Sequence, residues 1–293
     1  MKNVLNIIYY LLLLLLVTSN SFSQELVITG SVIDEEEFPI PYVNIIALNK
    51  EVGTFSDESG KFELFLRDFS NSDIIEFSCL GYEKKQISVN DLKKENIKIS
   101  LVTAVEKLSE VVLNSKKLKT YVKGKTRIKT TDMIRFSSSF KESVWNEPGH
   151  EIGRKFSLGT KKISYLKEFN FFIKKNTFQY SILEINIYNI KDNKPYKNIN
   201  SSSIIVTIDD KFTGWKTVNL SDFDIHVKED IIITVEYIKA VPTCYDQSGN
   251  CGLFFPYIYP TISTPPMYTK KGIKDEWHMK RGESITMTLT YQR

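Results

Sequence analysis

Apolar and polar residues alternate with a period of two along most of this chain. Phe62, Leu64 and Leu66 alternate with Glu63 and Phe65. Leu183, Ile185 and Ile187 alternate with Glu184, Asn186 and Tyr188, and Thr286, Thr288 and Thr290 with Ile285, Met287 and Leu289. Such a period sends successive side chains to opposite faces of a strand. Turn chemistry separates the runs, as in FPIP, SDESG and LGY, and no stretch of useful length carries a helical 3.6-residue period. The pattern predicts strands at 26–32, 42–48, 53–56, 61–66, 73–79, 83–89, 96–101 and 110–113, and then at 133–140, 151–158, 163–173, 181–190, 203–208, 214–220, 223–227, 231–238 and 284–291. Short strands with frequent turns read as an all-β fold of two sandwiches, the second jelly-roll-like. Its polar stripes read as solvated outer faces, and Trp215 as a core residue. Plentiful Tyr and Phe, 15 and 18, agree with half-buried pleated surfaces.

The first 24 residues break the pattern. Lys2 precedes an apolar run, Ile7 to Val17, with six consecutive leucines, followed by Thr18, Ser19, Asn20 and Ser21. This is the grammar of a secretory signal peptide, with cleavage expected near Gln24. The run is shorter than the roughly 20 residues a membrane-spanning helix needs. No later stretch is long and apolar enough, so no transmembrane segment is expected after removal of the signal. Export would place Cys244 and Cys251, which bracket the turn-rich YDQSGN, where they can form a disulfide. Two free thiols or part of a metal site are the alternatives. Cys79 falls in a strand, where a free thiol packs as a small hydrophobe.

Between Val27 and Leu113 the sequence carries GSVIDEEEFPIPYVNI, then GTFSDESGKFEL, FSCLGYEKKQISV, KISL and LSEVVL. The G-x-V-x-D start, the P-x-P-x-V-N-I strand, the S-D-x-x-G-x-F turn and the S-x-x-G-Y strand come in one order that resembles the carboxypeptidase-regulatory-like domain. Cys79 stands where that pattern has an aromatic or aliphatic residue. The resemblance implies a seven- or eight-stranded, transthyretin-like Greek-key sandwich and no activity of its own. It also implies an exported protein of the Bacteroidetes type, in which such domains precede the plug of many TonB-dependent receptors. The later run EINIYNIKDNKPYKNI…GWKTVNLSDFDIHVKEDIIITVEYI is similar in layout to galactose-binding-like sandwiches.

Charge divides the chain in the same place. Residues 25–115 carry 9 basic and 17 acidic side chains, net −8, and residues 116–293 carry 29 and 18, net +11. Residues 116–129 hold Lys116, Lys117, Lys119, Lys123, Lys125, Arg127 and Lys129 without an acid and read as an extended basic linker. The organisation is therefore a signal peptide at 1–24, a first sandwich at 25–115, the linker at 116–129 and a second sandwich at 130–293. Attraction between acidic domain and basic linker accounts for the asymmetry more simply than an anionic surface does. Nucleic acid does not suit an exported chain.

Catalytic constellations are missing. The three histidines are His150, His226 and His278. His150 and Glu151 are adjacent and so point to opposite faces, and His226 with Glu229 makes an H-x-x-E spacing on a strand that leads into a turn. There is no H-E-x-x-H, G-x-S-x-G, P-loop or dinucleotide fingerprint. The acids of Glu35–Glu37 and Asp209–Asp210 lie in turns. No enzyme activity, cofactor or metal is expected. The remaining candidate is the stretch 241–282, read as one long loop stiffened by prolines and rich in aromatic rings. Tyr245, Tyr257, Tyr259 and Trp277 are its candidate ligand-binding residues, since amphipathic rings suit sugar stacking or protein contact. A lid over the core is the competing role for these rings. The sequence thus reads as an exported, non-catalytic binding or adhesion protein with a glycan or protein partner. The alternative is a structural or accessory component of the outer envelope beside a TonB-dependent transport system. Oligomeric state is not legible.

Overall fold

The computed structural model describes residues 25–48, 50, 52–93, 97–104, 118–128, 130–136, 149–159, 162–242, 252–258, 264–272 and 276–293. The signal peptide, the strand expected at 110–113, Cys244, Cys251, Tyr245 and Tyr259 lie outside these residues. The regular secondary structure of the described residues is almost entirely β.

The first unit contains β1 (Glu25–Ile33), β2 (Asn44–Ala47), β3 (Gly53–Phe55), β4 (Lys61–Arg67), β5 (Ile74–Ser78), β6 (Lys85–Ser88) and β7 (Ile97–Ser100). They form two sheets, β4-β1-β7 and β3-β2-β5-β6. Between the sheets lies a core of Ile28, Val32, Phe62, Leu64, Leu66 and Ile99 from one and Ile45, Ala47, Ile75 and Phe77 from the other. The alternation in β4 is complete, with Phe62, Leu64 and Leu66 inward and the residues between them exposed. Gly30 opposes Phe62 on one side and Ile97 on the other. A Cβ there would collide with the Ile97 carbonyl oxygen and lie 2.9 Å from the Phe62 ring, so close approach of three strands requires glycine. In the SDESG turn, Gly60 has φ 73°, and Asp57 Oδ1 accepts from the Ser59 and Lys61 backbone amides.

Ser56 ties the end of β3 to the segment that leads into β2. Its buried hydroxyl donates to the Ile40 carbonyl at 2.9 Å and accepts from the Val43 amide at 2.8 Å. Ser56→Ala strands both backbone groups and is expected to cost about 1–2 kcal/mol, read as a lower urea midpoint with an unchanged m-value.

The second unit contains β8 (Thr120–Gly124), β9 (Met133–Phe136), β10 (His150–Phe156), β11 (Ser164–Ile173), β12 (Lys175–Asn176), β13 (Phe178–Lys191), β14 (Lys194–Asn198), β15 (Ile205–Ile208) and β16 (Gly214–Asn219). A short 3-10 turn, Ser221–Phe223, precedes β17 (His226–Val227), β18 (Ile231–Pro242), β19 (Leu253–Ile258), β20 (Met267–Lys271), β21 (His278–Lys280), β22 (Ser284–Ile285) and β23 (Met287–Gln292). A seven-stranded sheet runs β14-β13-β18-β10-β20-β21, with β15 also on β13. A five-stranded sheet runs β16-β11-β23-β8, with β17 on β11, and a four-stranded one gathers β9, β12 and β22 around β19. All three feed one core, including Ile152, Ile185, Ile233 and Val235, then Phe169, Phe171, Leu289 and Tyr291, then Leu253, Phe255 and Ile285.

Three expectations change. The 241–282 stretch is not one loop, because its described residues supply β19, β20 and β21. Leu253, Phe255 and Met267 are fully buried, and that burial overrides the local signal of the prolines. The basic segment 116–129 is not wholly a connector, since β8 pairs with β23 from Thr120↔Gln292 to Gly124↔Thr288. Tyr121 stacks on Tyr291 there at 5.5 Å, and Lys123 lies on this edge strand, where charge discourages further pairing. Trp215 lies outside the core cluster. It is partly exposed and packs edge-on against Phe172, its cross-strand partner, at 5.4 Å.

Candidate functional site

The polar stripe of β13 is where the structure departs furthest from expectation. Glu184 and Asn186 are 8% and 3% exposed. They do not face bulk water but form part of a buried polar layer on the outer face of the seven-stranded sheet. Register builds it. Glu151 opposes Glu236, Glu236 opposes Glu184, and on the other flank Glu151 opposes Lys270. Four neighbouring strands therefore carry one row, Lys270–Glu151–Glu236–Glu184, with three acids and one base.

Glu151, only 2% exposed, holds the centre. Lys270 Nζ donates to it at 2.8 Å, Thr234 Oγ1 at 2.7 Å and the Tyr188 hydroxyl at 3.0 Å. Asn186 Nδ2 bridges Glu151 at 3.4 Å and Glu236 at 2.7 Å, while its Oδ1 accepts from Asn198 Nδ2 at 2.7 Å. The remaining acids are under-compensated. Burial first, then the Glu151 charge, holds the Glu236 carboxyl well above the usual range, with Lys270 and Asn186 opposing. Burial likewise pushes Glu184 up to about 7; a hydrogen bond from Ser203 opposes this and Glu151 adds to it. Glu184 Oε1 has no hydrogen-bond partner among the described residues. Like charges opposed across strands in low dielectric resist joint ionisation, so the layer binds protons near neutral pH. Among the described residues no group of His, Cys, Asp and Glu is arranged to hold a metal ion.

The layer has a partly exposed border. Trp277, just before β21, meets the Tyr188 ring edge-on at 5.5 Å, and Lys270 Nζ sits 5.4 Å from its centroid. Of the sequence candidates, Trp277 thus stands at this site. Tyr257 does not, being on β19 opposite Ile285 in the four-stranded sheet. His226 is also elsewhere, its Nδ1 3.2 Å from the Asp224 carbonyl and its ring beside Tyr165. Glu151, Glu184, Glu236, Asn186, Tyr188, Thr234 and Lys270 escaped the sequence reading. Their signal is faint: lone acids inside apolar strands, in SILEINIY, IIITVEYI and HEIGRKF.

The first unit touches this layer from outside. The turn after β5 brings Cys79 beside Ser203, which also neighbours Glu184. A Cβ on Gly81 would lie 3.3 Å from the Ser201 carbonyl oxygen. Burial pushes the Cys79 thiol up to about 11, which leaves it un-ionised and a poor nucleophile.

That turn, the two-sheet core and the glycine at the crossing of β4, β1 and β7 belong to one recognised module. Residues 28–113 match the CarboxypepD_reg-like domain. The CarboxypepD_reg-like domain is a non-catalytic, Ig-like fold. A curated relative is a TonB-dependent receptor of Formosa agariphila, 28% identical over 96 residues. The match covers 33% of this chain and spans 9% of that relative's length. Among solved structures, the cysteine protease and lectin-like domains of Cwp84, a surface layer associated protein of Clostridium difficile, align over 49% of this chain and 32% of theirs, with TM-score 0.35 and 8% identity. The clostridial Cwp84 protease after propeptide cleavage aligns over 91% of this chain and 65% of its own, with TM-score 0.37 and 10% identity. No helix among the described residues is long and apolar enough to cross a membrane. The CarboxypepD_reg-like domain and the receptor similarity fit an envelope-associated β-sandwich protein.

Proposed function

We propose that this is an exported, non-catalytic binding protein of the cell envelope, whose second unit takes a glycan at the Trp277 border of the carboxylate layer. The observation that carries this reading is the setting of Trp277, whose indole is oriented by Tyr188 and Lys270 beside a row of hydrogen-bonding acids. Sugar rings stack on such amphipathic faces while their hydroxyls take directional hydrogen bonds. The CarboxypepD_reg-like domain acts as a scaffold, its Cys79–Gly81 turn abutting the Ser201–Ser203 segment. Glycan-array binding by the full chain is the test. Trp277→Ala is expected to weaken binding at least about tenfold, whereas Tyr257→Ala, on the other sheet, leaves it unchanged. Absence of glycan binding, or equal binding by the Trp277 variant, rejects the reading.

The similarity to a TonB-dependent receptor supports a second reading, an accessory role beside such a transporter. It requires a receptor to co-purify with the tagged full chain from envelope fractions, and fails if none does.

A further inference from the structure

The outer face of the seven-stranded sheet has a second end, and its chemistry is opposite to that of the carboxylate row. Lys155 lies on the same face of β10 as Glu151, and Tyr268 on the same face of β20 as Lys270, because each pair is separated by an even number of residues. There a cavity of about 270 Å³ is lined by Lys155, Tyr268 and Arg281, with Asn193, Thr264 and Met279 among its walls. That volume is just under the range of drug-sized pockets and suits one ring-sized ligand.

Two features of this cavity suit an anionic, hydroxylated ligand. The Tyr268 side chain is 1% exposed and forms part of the cavity wall. The charges also do not balance. Lys155 is paired with Asp230 at 2.9 Å, but no hydrogen bond or ion pair among the described residues engages the exposed Arg281 guanidinium. Arg281 is near enough to Tyr268 to oppose the rise that burial imposes on the phenol. The cavity therefore offers a phenolic hydroxyl and one planar five-donor cation, with a second cation half committed.

We propose that the cavity lined by Tyr268, Arg281 and Lys155 binds the carboxylate of an acidic sugar, a uronate-type residue, within a glycan lying along this sheet face. Arg281 takes the carboxylate, for which its planar fork is suited. Tyr268 donates to a carboxylate or ring oxygen, and Asn193 and Thr264 supply polar walls for hydroxyls. This rests on the glycan reading above and narrows it to acidic polysaccharides. A carboxylate at the cationic end and neutral hydroxyls at the acidic end give the ligand one direction along the face.

Isothermal titration of the full chain with an oligomer of galacturonate, its methyl ester and the corresponding neutral galactose oligomer tests this. The acid is expected to bind at least about tenfold more tightly than ester or neutral sugar. Arg281→Ala should remove that preference, and Tyr268→Phe, which keeps the ring, should weaken acid binding several-fold. Equal binding of acid and ester, or acid preference that survives Arg281→Ala with an unchanged melting temperature, overturns the proposal while leaving the glycan reading standing. Loss of all sugar binding in the unmodified chain overturns both.

Discussion

Replacing Glu151 by alanine is expected to destabilise the protein by about 3–5 kcal/mol, the cost of removing one partner from a buried ion pair. Glu151 is 2% exposed and collects donors from Lys270, Thr234, Tyr188 and Asn186. Alanine would strip all four of this acceptor at once, in a layer that water does not freely enter. The attraction itself is not the whole cost, since most of the loss comes from leaving polar groups desolvated. A double replacement separates the two contributions. Glu151→Met with Lys270→Met should recover most of the stability lost in Glu151→Met alone, because apolar pairs often replace buried ion pairs without penalty. Chemical denaturation of the four species measures the cycle. Additive losses would mean that Glu151 and Lys270 are not energetically linked.

Glu184→Gln is expected to act the other way above neutral pH. The Glu184 carboxyl is raised from 4.5 to about 7 in the fold, chiefly by burial, with Glu236 raised in the same layer. A raised folded value means that the native state holds its proton more tightly than the unfolded chain. The stability this confers is fully present below the unfolded value and is lost as pH rises toward the folded one. One pH unit of such a gap corresponds to about 1.4 kcal/mol, so the unmodified protein should lose on the order of 2–3 kcal/mol between pH 5 and 8. Asp57, Glu76 and Asp230 are all lowered. Their contribution is lost only on acidification below the ordinary carboxylate range, so they do not mask this window. Glutamine keeps an acceptor for Ser203 and carries no charge. The variant should show a flatter stability profile from pH 5 to 8 and a higher urea midpoint at pH 8. An unchanged slope, or a lower midpoint at pH 8, would show that the row is compensated in another way.

These two residues also mark the division between local and long-range information. The period-two pattern, the FPIP and SDESG turns and the glycine of G-x-V-x-D are local signals. They follow from backbone geometry and turn chemistry, and they located the first sandwich closely. Five inward positions in β1 and β4 need no more than alternation, namely Ile28, Val32, Phe62, Leu64 and Leu66, with Gly30 marking the crossing. The same alternation separated Glu184 from Leu183 in β13. It could not say whether the polar face meets water or another part of the protein.

That was decided by contacts between residues far apart in the chain. Thr234 and Glu151 bond across 83 positions and Lys270 and Glu151 across 119. Register is set by pairing of entire strands, and a shift of one residue would move the acids to the core face. Three glutamates came into line only because β13, β18 and β10 pair as they do. Tertiary packing likewise turned part of the aromatic stretch 241–282 into strands, burying Phe255 in the core and leaving Trp277 at the border of the carboxylate row. Local pattern was enough to show a β-rich chain, a CarboxypepD_reg-like sandwich in its first third, and the side chains that share a strand face. Which polar face is buried depended on the folded arrangement, because desolvation and charge opposition are properties of neighbours in space.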